Sequence, residues 1–239
     1  MDEAKEGVSS EKSMGDGKKK ESSEEIAQRF NVDLRKLEAE QKKLAKLISL
    51  KDSIDFSSIE RVAGIENVFI KNKIISAVIV IDCNFEVIEQ KYFTEKAKFP
   101  YIPGFRAYRE LPAMISVLGM LEEKPDVIFV KGSGVLHSMG LGIASHLAIA
   151  ANVPCIGVAD SLNVGEIKGE NILLGGKVMG KALKTKEGAN PIYISPGGMI
   201  SVKTAIEIAK KFTKKPHKMP EPLRGARKYA RDVMKEMAF

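Results

Sequence analysis

The chain is short of cysteine, has no long apolar run and shows no internal repeat. Its only cysteines are Cys83 and Cys155, and there is neither a CxxC pair nor a Cys/His cluster. That pattern excludes a disulfide framework and a structural zinc site. Both cysteines border apolar, strand-like runs, so the expectation is two inert buried thiols in a reducing, cytoplasmic setting. No segment approaches the ~20 apolar residues that cross a bilayer, so no membrane partner is expected. The first residues are polar and do not read as a secretory signal.

Of 239 residues, 44% are apolar, which suits one large globular core. The formal charge of +7 is unevenly placed. Residues 1–22 carry five lysines and six acids, whereas residues 202–239 carry eleven Lys/Arg against four Asp/Glu. A basic end on a near-neutral body is the footprint of a phosphate binder, or else a solvated helix that aids solubility. Residues 1–22 are rich in Lys, Glu, Ser and Gly and lack aromatics. They cannot bury enough apolar surface to offset their ordering entropy, so they read as a disordered charged tail before one domain over 23–239.

Periodicity organises the rest. Leu34, Leu37, Leu44, Leu47 and Ile48 share one helical face, interrupted by Gln41. Three β-rich runs follow at 59–70, 73–82 and 85–93, parted by Lys71-Asn72 and Cys83-Asn84. Such short polar breaks predict hairpins and an antiparallel meander. A helix over 106–121 should turn Leu111, Met114, Ile115, Leu118 and Leu121 inward. Val127–Val130 and Pro154–Val158 are short apolar runs of the kind buried in parallel sheets, with a glycine loop and a helix near 141–151 between them. Strands near 172–184 and 191–195, a helix over 202–212 and a basic helix from about Glu221 complete the chain. Strand–helix–strand–helix–strand order predicts an α/β fold with a mixed sheet, antiparallel meander plus parallel strands, flanked by helices.

Several residues can carry chemistry. Pro100 and Pro103 stiffen the loop that presents Tyr101 beside Ile102 and Gly104. This is either a rigid turn or a wedge that enters base stacking. Glu110 has apolar helical neighbours and needs a partner, either a metal ion or Arg106 one turn earlier. Alternation places Glu66 with Val62 and Gly64, where it faces solvent or serves as a ligand. Lys131 and Asp160 each follow a buried strand at its carboxyl end, the usual ligand side of an open α/β sheet. They can form a structural ion pair or a catalytic pair. His137 and His146 flank the glycine loop and next helix, as phosphate contacts or packed histidines, and His217 falls in a lysine-rich linker.

Taken together, these pieces carry a resemblance. The segment from Phe99 to Glu110, Phe-Pro-Tyr-Ile-Pro-Gly-Phe-Arg-Ala-Tyr-Arg-Glu, resembles the signature loop and helix of the endonuclease V family. Gly140–His146, Pro154–Ser161, Ile194–Gly197 and Pro220–Arg224 are similar to its later blocks, in order. The resemblance covers roughly residue 34 to the end. It implies a ribonuclease H-like fold and a Mg²⁺-dependent endonuclease that recognises deoxyinosine, or inosine in RNA, and cuts to its 3′ side. It also implies that Tyr101 belongs to a wedge beside an inosine pocket and that Glu110 is catalytic.

The departures fall at the chemistry. Glu66 stands for the family's first metal aspartate, and Lys131, in Lys-Gly-Ser-Gly, for the second. Asp160 stands for its lysine, Arg227 for its late histidine and Gly198 for another. An ammonium group has no lone pair and cannot ligate Mg²⁺. The acid and the lysine have exchanged places, however, which leaves two readings. In one, Glu66, Glu110 and Asp160 cage Mg²⁺ (or Mn²⁺), and Lys131 steadies the phosphate. Tyr101, Ile102, Pro103, Gly104, Gly132, Gly134 and His137 then meet the lesion strand, while Arg224, Arg227, Lys228 and Arg231 bind backbone phosphates. In the other, the protein binds inosine-containing or single-stranded nucleic acid without cleaving it, and Lys131–Asp160 is merely an ion pair; a monomer is expected in both.

Overall fold

A computed structural model of the chain describes residues 21–237. Residues 1–20, the bulk of the expected tail, lie outside the described residues. Ser22, counted in that tail above, instead caps the first helix. Its hydroxyl accepts from the Glu25 N–H, and the Glu25 carboxylate accepts from the Ser22 N–H. That reciprocal box satisfies two otherwise orphaned helix-end donors.

Two helices, α1 (Ser23–Arg29) and α2 (Leu34–Ala45), precede the sheet. The expected helix is α2, which stops short of Leu47 and Ile48, and α1 precedes it. Leu34 and Leu37 pack with Ala27 against Ile102, Phe105 and Phe99, so the apolar stripe covers the proline loop and not the main core. Gln41, which breaks that stripe, is the buried residue of α2.

Three antiparallel strands follow, β1 (Val62–Ile70), β2 (Lys73–Ile81) and β3 (Val87–Lys96). The β1–β2 turn uses Lys71 at φ 53°, a left-handed position close to Asn72, as a two-residue hairpin requires. Between β2 and β3 the Asp82 carboxylate accepts from the N–H groups of Asn84 and Glu86. Cys83 sits in this turn and is exposed, contrary to the expectation of a buried thiol; only Cys155 is buried, and burial pushes its thiol pKa up. Cys83 falls in the turn between β2 and β3 and not on a strand, and its thiol donates to the Ile59 carbonyl at 3.0 Å.

Next come α3 (Arg106–Leu118), β4 (Val127–Lys131), α4 (Ile143–Ala151) and β5 (Cys155–Ala159). β4 pairs in parallel with both β1 and β5. The stretch expected as one strand near 172–184 is a hairpin, β7 (Asn171–Leu174) and β8 (Lys177–Leu183), preceded by β6 (Glu166–Lys168). Gly175 and Gly176, both at positive φ, make that turn. β9 (Ile192–Gly198), α5 (Val202–Lys211) and α6 (Glu221–Glu236) close the chain.

The nine strands form one mixed sheet in the order β3-β2-β1-β4-β5-β9-β8-β7-β6. Alternate side chains feed two cores. Val62, Phe129, Ile156 and Val158 meet Ile208, Phe212 and Leu223 of α5, α6 and their flank on one face. Ala63, Ile65, Val78 and Val130 meet Met114, Val117 and Leu147 of α3 and α4 on the other. Phe129 and Phe212 are fully buried with ring centroids 6.3 Å apart. Each such side chain contributes roughly 1.5–3 kcal/mol by burial. No helix among the described residues is long and apolar enough to cross a membrane.

Candidate functional site

The register of the central strands gathers the charged residues. Ile65 lies opposite Val130 in the β1–β4 pair, so Glu66 and Lys131 are the next residues on neighbouring strands. Lys131 lies opposite Val158 in the β4–β5 pair, and Asp160 follows two positions later, just past β5. All three thus gather at the carboxyl end of β4, where its parallel ladder with β1 stops and opens a crevice.

Lys131 and Asp160 form an ion pair with Nζ 2.5 Å from the carboxylate, and Lys218 approaches the other Asp160 oxygen at 3.3 Å. Burial alone would raise the Asp160 pKa, but the hydrogen bonds and charges of Lys131 and Lys218 hold it below the usual value. Glu110 is occupied as well. It is buried on α3, and its Oε1 accepts from Arg106 Nε at 2.5 Å. Its Oε2 accepts from Arg106 Nη2 and from Asn67 Nδ2, both at 2.9 Å. Arg106 Nη1 also donates to the Lys131 carbonyl at 3.0 Å, tying the α3 end to β4. Glu66 points the opposite way from Asn67, toward α6. Burial raises its pKa, against the pull of Lys131, Arg227 and Arg106 and with the push of Glu110.

The expected three-carboxylate cage of Glu66, Glu110 and Asp160 is therefore not assembled. Among the described residues no three His, Cys, Asp or Glu side chains are grouped so as to hold a metal ion. The physical reason lies in the donors: both Glu110 oxygens serve Arg106 and Asn67, both Asp160 oxygens serve lysines, and an ammonium stands between the strands. These residues do not fit Mg²⁺, which needs free carboxylate oxygens at a near-octahedral site.

Two cavities share Lys131 as a wall. The first, about 380 Å³, is lined by Tyr101, Pro103, Gly104, Arg106, Gly132, Ser133, His137 and Asp160, among others. That is within the roughly 300–1,000 Å³ of ordinary small-ligand pockets. Tyr101 is 60% exposed at its rim. Ile102 is not on the presented surface, contrary to its expected part in the wedge: it is fully buried against Ala27 and Phe105 and anchors the loop. Gly134 also falls outside the cavity wall. Its N–H donates to Ser195 Oγ at 2.9 Å, and a Cβ there would stand 2.0 Å from the Pro196 oxygen. It fits the loop to β9 and has no room for a strand. His137 lines the cavity, and burial lowers its pKa; His146 is a packed ring edge-on to Tyr108, with a centroid distance of 5.4 Å.

The second cavity, about 270 Å³, is bounded by Glu66, Lys131, Lys186, His217, Lys218, Arg224 and Arg227, with Pro216, Met219 and Leu223. Arg224 and Arg227 of α6 therefore stand beside the strand ends, while Lys228 and Arg231 face solvent elsewhere along the helix. Gly64 makes this possible, for its bare Cα lets the Pro222 backbone rest directly on β1.

A model of the family described as Endonuclease V matches residues 42–228. The chain belongs to the endonuclease V family. It is 35% identical over 219 residues to the endonuclease V of Thermofilum pendens, covering 87% of this chain and 94% of that one. Endonuclease V from Bacillus subtilis superposes with a TM-score of 0.79 at 28% identity, covering 87% of this chain and 95% of that one. Endonuclease V from Ciona intestinalis, solved with a 24mer DNA containing an inosine followed by a ribo-adenosine, gives 0.78 at 25% identity over 85% of this chain and 98% of that one. The α/β, ribonuclease H-like mixed sheet flanked by helices is thus the endonuclease V fold.

Four residues that shape this endonuclease V site escaped the sequence reading. Gln41 Nε2 donates to the Gly104 carbonyl at 2.9 Å and pins the Tyr101 loop. Its signal was the polar break in an apolar stripe. Asn67, Lys218 and Lys186 gave no signal, because the first two act through partners distant in sequence and the third only lines a cavity built by residues distant in sequence.

Proposed function

We propose that this protein grips nucleic acid carrying deoxyinosine or inosine, as an endonuclease V relative whose site holds the strand with its own cations and not through Mg²⁺ hydrolysis. The observation that carries this reading is the Lys131–Asp160 ion pair at the strand ends. It fills the position of a metal ligand with an ammonium, and it ties up the acid that would otherwise replace that ligand. The lesion base would enter the first cavity, with Tyr101 stacking at the rim; a base on an aromatic face is worth roughly 1–3 kcal/mol. His137, Gly104 and Gly132 line the space it would occupy. Arg224 and Arg227 would meet backbone phosphates.

A second reading, scission to the 3′ side of the lesion, is favoured by one observation. Glu66 has no hydrogen-bond or ion-pair partner among the described residues, so one acid of the cluster is uncommitted.

The test is fluorescence anisotropy with DNA and RNA oligonucleotides that differ only in inosine against adenosine, run beside a cleavage assay in Mg²⁺ or Mn²⁺. We expect preferential binding of the inosine strand, a loss of roughly tenfold in Y101A, and intact strands throughout. Equal binding of both strands would end the recognition reading. Cleavage that E110Q abolishes would establish the second.

A further inference from the structure

The second cavity has an unusual balance of charge. Lys131, Lys186, Lys218, Arg224 and Arg227 face it with one acid, Glu66. Arg224 already pairs with Glu221, yet neither Arg227 nor Lys186 has a salt-bridge partner among the described residues. Lys131 and Lys218 share one counter-ion, Asp160. The side chain of Lys131 is only 16% exposed, whereas that of Asp160 is 51% exposed and lies past the end of β5. A poorly hydrated ammonium attracts anions strongly, and a half-exposed carboxylate regains water on leaving, which lowers the cost of its displacement.

From this we infer that the second cavity is a metal-independent phosphate site, in which a backbone phosphodiester of the bound strand displaces Asp160 from Lys131 and Lys218. Two lysine point charges and the forked guanidinium of Arg227 line the same cavity, a donor set that suits a tetrahedral oxyanion. The position that would hold a divalent cation in a carboxylate site here holds a covalently fixed one. Asp160 then acts as a resident competitor: it offsets one of the two lysine charges while the site is empty and yields when phosphate arrives. The inference rests on the proposed nucleic-acid reading, and it concerns the phosphate, not the base.

The experiment uses the full chain and a single-stranded oligonucleotide, with and without inosine, titrated in excess chelator and again in saturating Mg²⁺. We expect equal affinity in both buffers. D160N should bind about threefold tighter or more, because the competing charge is gone. K131M, which keeps the aliphatic stem, should bind roughly tenfold weaker with a shallower salt dependence. A strand with neutral methylphosphonate linkages should be held equally by wild type and K131M. Thermal melting establishes that each variant is folded. Binding that requires Mg²⁺, or weaker binding by D160N, overturns the inference. So does displacement of the strand by inorganic phosphate at concentrations comparable with the oligonucleotide, which would reassign the site to the free ion. Loss of inosine preference with the D160N and K131M effects intact would sink the base reading and leave the phosphate site standing.

Discussion

Replacing Gly64 by alanine tests the link between the core and the site. Gly64 lies on β1 two residues before Glu66, beneath the first turn of α6. A methyl group at Gly64 would stand 2.1 Å from the Pro222 carbonyl carbon, 2.2 Å from its oxygen and 2.5 Å from the Leu223 nitrogen, whereas ordinary contact begins near 3.4 Å. All three neighbours are backbone atoms, so no side chain can swing aside. The helix must retreat by roughly an ångström or more, and the interior is too densely packed to absorb that silently. Leu223, 2% exposed, would lose part of its packing. Overpacking of this kind costs about 1–3 kcal/mol, and the stiffness of two backbones places G64A toward the upper end, about 3 kcal/mol. Arg224 and Arg227 ride on the displaced helix, so nucleic-acid affinity should fall about tenfold as their phosphate contacts weaken. Urea denaturation followed by circular dichroism reads the first effect, and anisotropy at constant salt reads the second. A G64A protein within about 0.5 kcal/mol of wild type, with unchanged affinity, would refute the claim that this contact seats the basic helix.

The Arg106–Glu110 clamp predicts coupled losses. R106M leaves a buried carboxylate with Asn67 as its remaining partner and should cost about 3 kcal/mol, of which R106M/E110Q recovers a substantial part; a double variant no more stable than R106M in urea would contradict this. His146 predicts acid sensitivity. Burial chiefly, with His137 adding, lowers its pKa from 6.5 to about 4, so the neutral ring favours the fold fully above 6.5 and that advantage is lost as pH falls toward 4. The loss amounts to about 2 kcal/mol at about pH 5, and H146F, which keeps a ring against Tyr108, should show a correspondingly flatter stability profile between pH 7 and 5 (roughly); identical slopes would disprove it. Exchanging the swapped charges in K131D/D160K should create a Mn²⁺ site detectable by calorimetry that wild type lacks, and no uptake by the double variant would show that Lys131 is not what blocks the position.

The sequence by itself determined the meander, the two buried parallel strands and the basic terminal helix, because period-2 alternation, short apolar runs and charge clustering are local signals. It also placed Lys131 and Asp160 at strand ends and showed that acid and base had changed places. Two further features are equally local: Gly175-Gly176 marks the β7–β8 turn, and Ser22 with Glu25 marks the first cap. Only the tertiary structure decided which oxygens were free. Whether Glu110 can ligate a cation depends on Arg106 and Asn67, one a helical turn away and the other on strand β1, and whether Asp160 can do so depends on lysines 29 and 58 residues distant. A carboxylate's chemistry is set by the charges and donors within a few ångströms, and proximity at that scale comes from sheet register and helix seating, not from adjacency along the chain.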